Sequence, residues 1–118
     1  MKKIKVLWVD ADHLWVWDSH FWCLEEEGGY DIATLGTLCR KSVLQHCAGR
    51  DILVIHCGTR HPFADLRGLL EVVRARFPNL KIGLETNVKH SQVKDLVDFY
   101  IVKPLTVEEL KEELQAAV

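Results

Sequence analysis

At 118 residues the chain suits one domain with a core large enough to need no staples. Hydrophobic residues make up 48% and charged residues 27%, the balance of an ordinary globule. A net charge of −2, with acids and bases interspersed along the sequence, excludes a nucleic-acid or membrane-surface binder that works through a basic stripe.

The Lys-rich start, Met1 to Lys5, runs straight into Val6-Leu7-Trp8-Val9. That short β-branched and aromatic run predicts a strand buried on both faces, not a signal peptide. No apolar stretch has the length of a membrane span. Asp12 is placed to cap a first helix ending at Gly28-Gly29, with Leu14, Trp17, Phe21 and Leu24 facing the sheet. Trp15 and Trp22, seven residues apart on that helix, share another face. Two readings are open for them: exposed interface anchors, or packing against the last helix.

Tyr30 to Leu35 predicts an edge strand, and a helix from about Leu38 to Cys47 stops at Gly49. Ile52 to Ile55 predicts the central strand, followed by loop chemistry at Gly58 to Pro62. A helix from about Ala64 to Phe77 ends at Pro78-Asn79 and presents Phe63, Leu66, Leu69, Leu70 and Val73 to the core. Its Arg67, Arg74 and Arg76, with Arg60 and His61, form a basic side: a solvated face, or alternatively an anion site. Leu80 to Leu84 predicts a fourth strand, Val88 to Val97 a short helix, and Phe99 to Val102 a fifth strand. Thr106, answered by Glu109, opens the last helix with a capping box.

Strands alternating with helices require crossovers, so the fold class is α/β: a five-stranded parallel, doubly wound, flavodoxin-like sheet in one domain, residues 1–118. In such sheets functional groups gather beyond the carboxyl ends of the strands. That rule brings together Asp10, Ala11 and Asp12 after the first strand, His56-Cys57 after the third, Glu85-Thr86-Asn87 after the fourth and Lys103-Pro104 after the fifth.

At this rim the whole chain resembles the response-regulator receiver family, whose strand order is 2-1-3-4-5. The resemblance rests on Val6 to Asp10, Asp51 to His56, Leu84 to Asn87, and Asp98 to Pro104 with its Lys-Pro pair. It implies a switch hydroxyl at Thr86, a switch aromatic at Tyr100 and a phosphoryl-contacting lysine at Lys103. Thr86 and Glu85 compete for the hydroxyl's place by one residue of register. The family's chemistry needs a carboxylate nucleophile and two further acids on magnesium. Here the nucleophile position is His56 and one metal-binding acid is Ala11, so the resemblance is to a pseudo-receiver with a degenerate site. His56 is then expected to hydrogen-bond Asp10, Lys103 to pair with Asp10, and Tyr100 to stay partly buried. The segment from Thr86 to Lys103 is also roughly one helical turn shorter than usual in the family.

The implied function is a non-enzymatic signalling domain of a two-component-type pathway or phosphorelay, working by protein–protein interaction in the cytoplasm. Its partners would be proteins, a homodimer included, with no cofactor, nucleic acid or membrane. Alternatives are a metal or small-anion sensor, with Asp10, Asp12 and His56 as the weak ligand set, or a flavodoxin-like enzyme. The enzyme lacks a glycine-rich phosphate loop, and its one nucleophile would be Cys57 beside His56. Cys23, Cys39, Cys47 and Cys57 form no Cys-x-x-Cys motif and read as reduced thiols. The pairs His46-Cys47 and His56-Cys57 suggest zinc, but neighbouring side chains point apart and rarely share one ion.

Overall fold

The structure, a computed structural model, describes residues 3–10, 18–56, 63–86, 91–101 and 106–118. Its strands are β1 (Ile4–Val9), β2 (Tyr30–Leu35), β3 (Ile52–His56), β4 (Lys81–Glu85) and β5 (Phe99–Ile101). The helices are α1 (Asp18–Glu26), α2 (Arg40–Cys47), α3 (Phe63–Arg76) and α4 (Val107–Ala117), and a 3-10 segment spans Ser91–Leu96. All strand pairs are parallel, in the order β2-β1-β3-β4-β5, so β2 lies at an edge and β3 in the middle as expected.

Strand alternation divides the core between the two faces of the sheet. Leu7, Val9, Leu53, Ile55, Ile82 and Leu84 pack with α2, α3 and Val93 on one face. On the other, Val6, Trp8, Ile52, Val54 and Ile101 pack with Phe21 and Leu24 of α1 and Leu110 and Leu114 of α4. Trp8 and Phe21 meet at a centroid separation of 4.8 Å with their rings tilted by 53°, a favourable aromatic arrangement. Two glycines end helices as the sequence suggests. Gly28 (φ 83°) and Gly49 (φ 78°) adopt the left-handed conformation that an L side chain resists. The capping box of α4 also forms: the Glu109 N–H donates to Thr106 Oγ1, and the Thr106 N–H to Glu109 Oε1, each at 3.1 Å.

One element differs from expectation. The predicted helix Val88–Val97 is a 3-10 segment over Ser91–Leu96, with residues 88–90 outside the described set. A 3-10 turn rises about 2.0 Å per residue against about 1.5 Å in an α-helix, so it spans more distance when the connection is short. Val93 is fully buried and fastens the segment to the core. The predicted N-cap Asp12, together with Leu14 and Trp17, also lies outside the described residues; Phe21 and Leu24 face the sheet as expected.

Candidate functional site

The carboxyl ends of β1, β3 and β4 are adjacent, because Val9 pairs with Ile55 and His56 with Glu85. Asp10 follows β1 directly and is 4% exposed; its N–H donates to the Leu35 carbonyl at 2.9 Å. Thr86 follows β4, is 6% exposed, and is pinned by its N–H to the Ile101 carbonyl at 2.8 Å. Asp10, His56 and Thr86 thus reach one rim. Ala11, Asp12, Cys57, Asn87 and Lys103 lie outside the described residues, and with them the expected Lys103–Asp10 pair.

The structure places the Glu85 carboxylate on His56. His56 Nδ1–H donates to Glu85 Oε2, both side chains being mostly buried. The reason is register: His56 and Glu85 are Cα partners on neighbouring strands. Glu85 closes β4 and Thr86 is the next residue.

A receiver's magnesium site demands hard oxygen ligands in near-octahedral geometry. Here an imidazole stands at the end of β3 and its neighbouring carboxylate is engaged by that imidazole, so the described donor set does not suit magnesium. Among the described residues no three His, Cys, Asp or Glu side chains are gathered for any metal. The His46-Cys47 pair is likewise split: His46 Nδ1–H donates to the Ser42 carbonyl at 2.7 Å, while Cys47 points into the core.

Tyr100 is half-buried against the α2/α3 core, and desolvation pushes its hydroxyl above the ordinary range. Trp22 is 65% exposed; Trp15 lies outside the described residues. The arginine side of α3 is not simply solvated. Arg67 binds Asp95 through two hydrogen bonds of 3.0 and 2.8 Å, and Arg74 reaches Asp98 and two backbone carbonyls. Arg76, with Arg50, Asp51 and Lys81, lines a cavity of about 510 Å³ at the opposite end of the sheet.

The thiols differ sharply. Burial pushes Cys47 up to about 11. Cys39 is exposed at the start of α2, and its thiolate is held below the ordinary value by the Ser42 N–H first, then by the Ser42 hydroxyl and the Lys41 N–H. The neutral thiol makes no cap hydrogen bond, as befits a weak acceptor. Among the described thiols, iodoacetamide should therefore modify Cys39 before Cys47 in the folded protein, and Cys47 only after unfolding. Peptide mapping of a timed alkylation checks this, and early labelling of Cys47 would contradict the burial described.

Neither a protein-family model nor a curated protein matches this sequence. Solved structures do match over nearly its full length. The chemotaxis response regulator CheY4 of Vibrio cholerae is 20% identical, with 99% of this chain and 100% of that chain covered and a TM-score of 0.74. A response regulator from Thermotoga maritima is 15% identical, covers 98% of each chain and gives 0.76. The beryllofluoride-activated NtrC4 receiver-domain dimer is 21% identical over 96% of this chain and 94% of that chain, at 0.70. With five parallel strands in the same order and this agreement over its length, the chain has the flavodoxin-like fold of a CheY-like receiver domain.

Proposed function

We propose that the chain is a pseudo-receiver: a signalling domain of a two-component-type pathway that acts by non-covalent contact with protein partners, without aspartyl phosphorylation and without turnover of its own. The observation that carries this reading is His56. A receiver forms an acyl phosphate on a carboxylate at the end of β3, and here that position holds an imidazole paired with Glu85. Losing the nucleophile removes the covalent step. Losing hard oxygen ligands removes the ion that would neutralise the phosphoryl charge. A paired rim is a fixed structure on which partner surfaces can rely. The proposed setting is the cytoplasm, where its thiols stay reduced.

Intact mass spectrometry at neutral pH, after incubation with magnesium and acetyl phosphate, tests the reading. The expected spectrum shows the unmodified mass alone. A stoichiometric, magnesium-dependent phosphoryl adduct would overturn it, and mapping would show whether His56, Asp10 or Asp12 had taken over the chemistry.

A further inference from the structure

Two acidic stretches of the sequence come together in space. Helices α1 and α4 cover the same face of the sheet and touch each other. Over residues 18–27 and 107–117 eight acids stand against one base, Lys111. The rest of the chain carries nine acids and fourteen bases. Lys111 is itself engaged by Glu27, at 2.9 Å.

Trp22 projects from this acidic face. Together with Val118 it is one of two large hydrophobic residues exposed among those described. Asp18, Ser19, Glu25 and Glu26 lie three and four residues from it on the helix, and all are exposed. Glu25 and Glu26 sit in the last turn of α1, which holds no basic residue. Carboxylates at a helix C-terminus oppose the helix dipole and carry a local cost. Residues that break a local rule without a compensating gain inside the fold mark places where function sets the sequence.

We propose that the α1/α4 face docks a Lys/Arg-rich segment of a partner protein, with Trp22 as its aromatic anchor. The inference rests on the reading that the chain works through protein partners. A guanidinium can stack on the indole while neighbouring carboxylates bind its N–H groups, so cation–π and charge-assisted contacts fall on one spot. Nucleic acids and anionic membranes are repelled by the same charges. A second copy of this chain fits poorly. Its basic arginines on α3 are already engaged, Arg67 by Asp95 and Glu71 and Arg74 by Asp98. A contact between opposite faces of two copies would also be heterologous and would not close into a dimer.

The probe is a short helical peptide of Arg, Lys, Leu and Ala, titrated into the isotope-labelled full chain at about 0.15 M salt, with a Glu-for-Arg/Lys peptide as control. Amide shifts confined to α1 and α4, together with the Trp22 indole N–H, are expected for the basic peptide only. Trp22→Ala should weaken binding about ten-fold or more, as for an aromatic anchor. The double variant Glu25→Lys/Glu26→Lys should weaken it similarly. Because those lysines suit the helix dipole, its melting temperature should stay level or rise, separating lost docking from lost folding. Shifts centred on α3 or the rim would overturn the proposal, as would no response up to about 1 mM peptide. Concentration-dependent self-association that the double variant abolishes would assign the face to a second copy and overturn it too. A phosphoryl adduct with the peptide response intact would sink the phosphorylation-independent reading alone; an unmodified mass with no peptide response would sink the docking inference alone.

Discussion

Arg74→Met should destabilise the domain by about 2–3 kcal/mol, a loss on the order of 10 °C in melting temperature for a domain this small. The guanidinium donates to the Leu80 carbonyl at 2.8 Å, the Leu96 carbonyl at 2.9 Å and Asp98 Oδ2 at 2.8 Å. It thereby ties α3 to the start of β4, the end of the 3-10 segment and the entry to β5. Asp98 continues the clamp: it accepts from the Ile82 N–H at 2.8 Å, and its own N–H donates to the Ile82 carbonyl at 2.7 Å. Methionine keeps much of the packed stem and leaves two carbonyls and a carboxylate without their donor, and unmade bonds cost more than made bonds contribute. The Asp98 side chain is about a third exposed, which holds the ion-pair share of the effect to the low end.

The same clamp predicts a pH signature. Desolvation would raise the Asp98 carboxyl, but the hydrogen bonds from Arg74 and the Ile82 N–H outweigh it and hold it below its ordinary value of 3.8. A depressed folded value adds stability that is present above the unfolded value and lost as pH falls through the folded one. The gap between wild type and Arg74→Met should therefore be full above about pH 5 and narrow below about pH 4, without closing, because the two carbonyl bonds do not titrate. Urea unfolding at several pH values measures it. A gap under about 0.5 kcal/mol at neutral pH would show that the clamp carries no stability.

Much of the fold is legible in the sequence because its signals are local. Ile52 to Ile55 can hardly be other than a central strand, and Thr106 with Glu109 writes its own cap. The parallel sheet follows from the alternation of strands and helices, which leaves crossover connections as the way to join them. What stays hidden depends on register and placement. Asp10, His56 and Thr86 can be assigned to one rim from strand ends alone, but the partner of His56 is decided by which residues of β3 and β4 lie side by side. The arginines of α3 look like a solvated face until Asp95 and Asp98, more than twenty residues on, are folded beneath them. The two acidic stretches are visible along the chain, but their meeting in one α1/α4 face is not, since the helices lie some eighty residues apart.

Gly83→Ala should cost about 1–3 kcal/mol, and Gly83→Val more, although both residues favour strands over glycine. Gly83 pairs with Phe99 across β4 and β5, and the Phe99 ring lies against the glycine backbone. A Cβ there would sit 2.4, 2.6 and 2.8 Å from three atoms of the ring, a separation that no real Cβ keeps. The ring is held in the α1/α4 core, so it can leave only by disturbing that packing or by drawing β5 away from β4. Glycine inside a strand commonly marks such a close approach. The consequence reaches the rim, because the Thr86 N–H bonds the Ile101 carbonyl at 2.8 Å just beyond the affected pair. Amide exchange at Thr86 should accelerate in Gly83→Ala relative to amides of β1 and β3. A double-mutant cycle isolates the cause. If the ring is the obstacle, Phe99→Leu should cost markedly less in the Gly83→Ala background than in the wild type, with a coupling above about 1 kcal/mol. Additive costs would mean that Gly83 is needed for its backbone and not for the space it leaves to Phe99.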